Sequence, residues 1–272
     1  MTSHQLIDEF APGQVWLVGA GPGDPGLLTR KAEALMRAAS VIFYDALVSP
    51  AILALAPAHV RMVAVGKRSG RHSKDQRSIN ALLVGAALAG ERVVRLKGGD
   101  PSVFGRSVEE MQALEAVGVT VRICAGVTAA SAAAASLGAS LTLRDKARKL
   151  MVLTAHVSAG GTVDMDWPAI VDADTALAVY MGKAAAGIIA RHLMDGGLPP
   201  DTPVALVENA SLPDERQFRT TLALLGLAAR TALGDGPALL LIGAPFAARD
   251  GQCVGEYAGQ AAAIAVAHPP ID

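Results

Sequence analysis

Residues able to do chemistry gather at the ends of short apolar runs. Lys97-Gly98-Gly99-Asp100-Pro101-Ser102-Val103-Phe104-Gly105-Arg106 follows the run 92–96. Its two glycines bare backbone groups, and its acid can accept hydrogen bonds from hydroxyl or ammonium donors. Its arginine can grip a carboxylate with paired N–H donors. A turn that only reverses the chain needs neither the acid nor the arginine. Gly66-Lys67-Arg68-Ser69-Gly70, with Arg71 and His72 beyond, is a second basic loop. It is not a Walker P-loop, because Arg61 stands where the first glycine belongs and Arg68 where Ser or Thr belongs. Gly19-Ala20-Gly21-Pro22-Gly23-Asp24 begins like a dinucleotide fingerprint. Asp24 then replaces the third glycine, and Pro22 removes an N–H that a pyrophosphate would use. Gly126-Val127-Thr128-Ala129-Ala130-Ser131 offers a hydroxyl among small side chains, while Tyr180-Met181-Gly182 and Val207-Glu208-Asn209-Ala210-Ser211 close two more apolar runs. Asp45 ends another, in Phe43-Tyr44-Asp45-Ala46-Leu47. A carboxylate there can take a proton from a reacting group, or it can cap the next helix.

Such loops need a scaffold, and the chain alternates β-branched runs with longer Ala/Leu-rich stretches. The pattern predicts a mostly parallel α/β protein. Strands are expected at 15–18, 40–44, 61–65, 92–96 and 119–123, then at 149–154, 175–180, 203–207 and 238–242. Helices are expected at 27–39, 75–89, 108–116, 184–194 and 222–233. The expected domains are 14–125 and 149–248, both α/β, joined by a small-residue segment at 126–148 and followed by a tail at 249–272.

Composition limits the partners. With 272 residues, 51% hydrophobic and 18% charged, the chain has the material for a folded core. Lys and Arg total 24 against 25 Asp and Glu, a net charge of -1 that offers no general attraction for nucleic acid or anionic lipid. An anionic ligand must meet a local basic cluster instead. The two cysteines and six histidines show no metal-ligand spacing, so no metal is expected. Residues 123–143 carry no charge and are long enough to span a bilayer, but they are mostly Ala, Ser, Gly and Thr. They read as buried loop and helix in a cytoplasmic protein, and the first residues show no secretory signal.

Taken together the motifs resemble the tetrapyrrole methylase family. The pieces, in order, are VWLVGAGPGDPGLLT, VIFYDALVS, VGKRSGRHS, RVVRLKGGDPSVFGR, AGVTAASAAAA, LTLRD, VYMGK, PVALVENAS and PALLLIG, spread over 15–243. The resemblance implies two α/β domains with an active-site cleft between them, unlike a Rossmann methyltransferase, and a homodimer. It implies S-adenosyl-methionine as methyl donor, in agreement with the failed dinucleotide fingerprint. The YDALVS and GKRSGRHS pieces are similar to those of members that methylate uroporphyrinogen III at C2 and C7, giving precorrin-2 for siroheme and cobalamin. Alternatives are a methylase of a later corrin intermediate, a non-catalytic S-adenosyl-methionine-binding protein and, from the GAGPG loop alone, a nicotinamide oxidoreductase.

By position, the resemblance implies Asp45 as proton acceptor, Lys67 as proton donor and Arg106 as a further catalytic residue. It implies Pro22, Gly98, Gly99, Asp100, Val103, Thr128, Ala129, Met181, Ala210 and Ala238 at the methyl-donor site. Arg68, Arg106 and Arg144 would face the carboxylates of the tetrapyrrole. Three positions depart from the family pattern. Ala125 replaces a proline, Leu143 a histidine and Ala210 a glycine.

Overall fold

Runs that are apolar on both faces make strands covered on both sides. β1 (Val15–Gly19), β2 (Val41–Tyr44), β3 (Arg61–Ala64), β4 (Val93–Lys97) and β5 (Val121–Cys124) form one sheet in the order β3-β2-β4-β1-β5. Every pair in it is parallel. The structure, a computed structural model, describes residues 10–66, 76–155, 163 and 165–248. It divides into two units. The first runs to Gly138 and includes Ala210–Leu212, and the second holds Ala139–Asn209 and the chain from Pro213. The dividing point falls within the segment 126–148.

In the first unit, side-chain alternation feeds two cores. Trp16, Val18, Ile42, Val94 and Leu96 pack with Leu35 and Met36 of α1 (Arg30–Ala38) and Ile52 of α2 (Pro50–Leu53). Val15, Leu17, Val41, Phe43 and Val93 pack with Leu83 of α3 (Gln76–Leu88) and Leu114 of α4 (Ser107–Glu115). α1 starts later than the expected residue 27. Pro25–Leu27 is a 3-10 turn, and Thr29 caps the helix by accepting from the Ala32 N–H at 3.1 Å. α5 (Ala129–Ser136) buries Ala130, Ala132, Ala133 and Ala134, while Ile123 and Ala125 in the same uncharged stretch are exposed. Among the described residues no helix is long and apolar enough to cross a membrane.

The second unit corrects the mostly parallel expectation. Its sheet is β6-β7-β10-β8-β9, from β6 (Lys149–Thr154), β7 (Thr175–Tyr180), β8 (Pro203–Glu208), β9 (Arg216–Thr221) and β10 (Ala238–Ile242). Only β6 and β7 run parallel, and the other three pairings are antiparallel. The physical reason lies in the connection after β8. The loop to β9 is too short for a helical crossover, so the next strand must return alongside. α6 (Trp167–Ile170), α7 (Ala186–Asp195) and α8 (Leu225–Thr231) complete this unit, with Ile189, Leu193 and Leu225 in a core shared with Leu177, Leu206 and Leu240.

Candidate active site

Because all five strands of the first sheet point one way, the loops after their carboxyl ends share one edge, where open α/β sheets bind ligands. That edge carries Pro22 after β1, Asp45 after β2, Gly98, Gly99 and Asp100 after β4, and Thr128 after β5. Backbone packs directly on backbone here. Gly21 and Gly99 exchange N–H···O bonds of 3.1 and 2.8 Å. A Cβ added to Gly126 would lie 2.3 Å from the Gly99 carbonyl oxygen and 2.8 Å from the Gly19 Cα. The first, fourth and fifth loops therefore approach one another as only glycine allows.

Asp100 ties the fourth and fifth loops together. One carboxylate oxygen accepts from the Ser102 N–H at 2.7 Å and the other from the Gly126 N–H at 2.9 Å. Each oxygen keeps lone-pair capacity, so the same carboxylate can hold the loops and still receive a ligand donor. Ser49 makes a second tie. Its hydroxyl donates to the Gly23 carbonyl at 2.7 Å and accepts from the Ile52 N–H at 3.3 Å, capping α2. Ala210–Leu212 belongs to the same unit, with the Asp24 N–H donating to the Ser211 hydroxyl at 3.1 Å. The Leu212 side chain occupies the space beside Gly23.

The structure bears on one of the two roles considered for Asp45, the helix cap. Ser49, not Asp45, caps α2. The Asp45 carboxylate instead accepts from the Leu47 N–H at 3.1 Å and lies 3.7 Å from the Arg95 guanidinium. It borders a depression of about 90 Å³ lined by Tyr44, Asp45, Ala46, Val48, Ala64 and Gly66. Lys67 and Arg68 lie outside the described residues. Arg106 is exposed, in a left-handed backbone conformation, and forks onto Glu109 at 2.8 and 2.6 Å. That pair raises the Arg106 pKa and lowers that of Glu109. A solvent-exposed pair of this kind contributes little to stability and exchanges readily for another carboxylate.

Val103 and Ala129 are half-buried in the first unit, beside Asp100 and Thr128 in sequence. Met181, Ala238 and Arg144 belong to the second unit. Met181 is exposed directly after β7, Ala238 is half-buried at the start of β10, and Arg144 is exposed in a turn closed by Leu143 and Ala147. Non-glycine residues with positive φ fall on these loops. They are Phe104 and Arg106 after β4, Met181 after β7, Asn209 and Ser211 after β8, and Asp145 beside Arg144. Strained backbone of this kind gathers at ligand sites.

Two charged residues, Arg95 and Glu110, carry no role in the sequence pattern, and Lys97 stands there only as the first residue of the glycine loop. Arg95 and Lys97 on β4 and Glu110 on α4 are buried. Glu110 accepts from Arg95 Nε at 3.1 Å and from Lys97 Nζ at 2.9 Å. Burial, then the neighbouring Arg95, pushes the Lys97 pKa down against the opposing pull of Glu110. A charge inside the apolar run VVRLK was the available signal for Arg95. Among the described residues no group of three or more His, Cys, Asp and Glu could hold a metal ion.

Known proteins resemble this chain over most of its length. Residues 14–226 match the model of the Tetrapyrrole (Corrin/Porphyrin) Methylases. The chain belongs to the tetrapyrrole methylase family. The chain is 44% identical over 231 residues to the uroporphyrinogen-III C-methyltransferase of Paracoccus denitrificans, covering 85% of this chain and 80% of that one. It is 45% identical over 240 residues to the siroheme synthase of Gluconacetobacter diazotrophicus, covering 88% of this chain and 51% of that one. The chain thus spans about half the length of the siroheme synthases it matches. Among solved structures, the uroporphyrin-III C-methyltransferase of Thermus thermophilus complexed with S-adenosyl homocysteine superposes with a TM-score of 0.71 at 39% identity, covering 85% and 92% of the two chains. A cobalt precorrin-4 methyltransferase gives a TM-score of 0.78 at 28% identity, covering 87% and 97%.

Proposed function

We propose that this methylase transfers methyl groups from S-adenosyl-methionine to C2 and C7 of uroporphyrinogen III, giving precorrin-2 for siroheme and cobalamin synthesis. The observation that carries the reading is the gathering of Asp45, the Gly98-Gly99-Asp100 loop and Thr128 on one sheet edge. The residues suit the donor molecule. The position a Gly99 side chain would take is open space, and the flanking residues are small or bear hydroxyl and carboxylate acceptors. Pro22, Gly98, Gly99, Asp100, Val103, Thr128, Ala129, Met181, Ala210 and Ala238 would hold it. When bound, it supplies an electrophilic sulfonium methyl.

A reduced pyrrole is electron-rich and enamine-like at carbon, so the protein has chiefly to orient it and move protons. Asp45 accepts the proton released as methylation restores neutrality, Lys67 donates one, and Arg68, Arg106 and Arg144 receive the substrate carboxylates. The Arg106–Glu109 fork opens in exchange for one of those carboxylates. The reading includes a homodimer in the cytoplasm, tested by sedimentation and by cell fractionation.

Incubation with uroporphyrinogen III and labelled donor, followed by mass analysis, is expected to show two added methyls; an unmodified tetrapyrrole would overturn the reading. Asp45→Asn keeps an acceptor for the Leu47 N–H but cannot take the proton. It is expected to retain thermal stability and donor affinity while losing about 10²–10⁴ in turnover. Methylation of a later corrin intermediate is the second reading, favoured by the higher TM-score of the cobalt precorrin-4 enzyme. The higher identity to the uroporphyrin-III enzymes outweighs it, because substrate choice lives in side chains grafted on a shared fold. Presenting both tetrapyrroles to the protein separates the two.

A further inference from the structure

Two cations and one carboxylate are buried together beside Asp45, and stability alone does not account for them. Arg95, Lys97 and Glu110 side chains are 5%, 6% and 1% exposed. Taking such groups out of water is costly, and an apolar replacement of similar volume is often as stable or more so. The geometry runs in one direction. Glu110 holds Arg95 Nε and Lys97 Nζ. Arg95 Nη1 donates to the Leu96 carbonyl at 3.1 Å and the Phe43 carbonyl at 3.5 Å. Arg95 Nη2 then faces the Asp45 carboxylate at 3.7 Å, at the depression. On the other side, Gln76 of α3 donates to Glu110 at 3.4 Å and to Asn80 at 2.9 Å. Two buried cations against one buried anion leave a positive charge, and the carboxylate that balances it is Asp45.

We infer that Glu110 is a positioning residue for methyl transfer, acting through Arg95 to aim the Asp45 carboxylate. Among the described residues Glu110 does not line the depression, so its influence passes through the cations it holds, of which Arg95 faces Asp45. The Leu47 N–H fixes one Asp45 oxygen and Arg95 faces the other, which sets the plane of the carboxylate. With glutamine at 110, the one remaining oxygen can accept from Arg95 Nε or from Lys97 Nζ but not from both, and the charge that holds the two cations is gone, so the aim of Arg95 is loosened. The inference rests on Asp45 being the proton acceptor.

A double-substitution cycle tests it. Turnover at saturating S-adenosyl-methionine and uroporphyrinogen III is measured for wild type, Glu110→Gln, Asp45→Asn and the pair, with S-adenosyl homocysteine affinity by calorimetry. Glu110→Gln is expected to lower kcat by about tenfold or more, since small misplacements of a reacting group cost up to about 10². Tetrapyrrole KM and S-adenosyl homocysteine affinity are expected to change by less than about twofold. In the Asp45→Asn background the same change is expected to cost less than about twofold further, within ordinary additivity error. An equal loss in both backgrounds, or a loss confined to KM or donor affinity, overturns the inference. If Glu110→Gln does not fold, Arg95→Lys carries the same cycle, because an ammonium keeps the charge but lacks the fork that reaches both carboxylates. The two readings fail separately. Asp45→Asn turnover near wild type refutes Asp45 as acceptor, whereas a slow Asp45→Asn with an undiminished Glu110 effect refutes only the positioning role.

Discussion

Among the described residues each unit buries one glutamate at the carboxyl end of its sheet or beside it, and the two are satisfied in opposite ways. Glu110, in the first unit, meets two buried cations. Glu208, at the end of β8 in the second, accepts from the backbone N–H groups of Gly234 and Gly236 at 2.8 and 2.9 Å. Its cations, Lys183 and Arg216, stand off at 3.8 Å and reach toward solvent. The first carboxylate organises side-chain charges, and the second clamps a loop. A buried charge held by side chains can pass its influence to another side chain. One held by backbone can only fix the chain that leads into β10 and Ala238.

Truncation separates the two arrangements. Glu110→Ala leaves Arg95 and Lys97 buried without their anion and is expected to cost about 3–5 kcal/mol in urea unfolding. Glu208→Ala leaves two N–H groups unpaired and is expected to cost about 1–3 kcal/mol. The reverse order would dissolve the distinction.

Glycine contacts sharpen it further. In the first unit Gly126 sits against backbone on two sides, while in the second Gly226 of α8 faces Gly187 of α7, an added Cβ lying 2.8 Å from the Gly187 Cα. Two helices can slide apart by a few tenths of an ångström, whereas three loops pinned by Asp100 and the Gly21–Gly99 backbone pair cannot. Gly126→Ala is expected to cost about 3 kcal/mol and Gly226→Ala about 1 kcal/mol, the two ends of the range for overpacking. Equal midpoints in urea would show that the loops yield as easily as the helices.

The smallest effects lie in pH. Lys97, with its pKa lowered by burial, binds fewer protons folded than unfolded between that lowered value and 10.5. Stability therefore rises with pH across that window. Lys149, in the second unit, has its pKa raised by the hydrogen bond from its ammonium to Asp172. Its contribution is complete below the unfolded value and is lost as pH rises through the folded one. Lys97→Met is expected to remove the alkaline rise and Lys149→Met the alkaline fall, read from urea midpoints at stepped pH. Asp172, held at about 2 by that lysine, contributes stability that disappears as pH falls from its ordinary 3.8 through 2. Asp172→Asn should flatten that acid limb. Matching slopes for the two lysines would show that burial does not set their difference.

Much of the scaffold is legible without coordinates, because period and punctuation are local. β1, β2 and β4 lie where β-branched runs meet glycine or aspartate, and the loops that end them hold the candidate residues on the expected edge. Arg216–Thr221 escaped as a strand, since RQFRTT is polar and shows little apolar alternation. It exists because β8 offers it a partner. The direction of the second sheet was equally hidden, for strand direction depends on which neighbour a run finds.

Glu109 and Glu110 show most plainly what a sequence by itself decides. Two adjacent acids in the first turn of α4 look alike on paper, both suited to a helix N-terminus. The helical step of about 100° between neighbours turns one toward solvent and Arg106, and the other inward to Arg95 and Lys97. The types of the charged residues, their spacing and the turns that display them are written in the chain. Which of those charges become buried, and which cation ends up facing Asp45, was decided only when α4 packed against the sheet, because burial is a property of the assembled core and of no single segment.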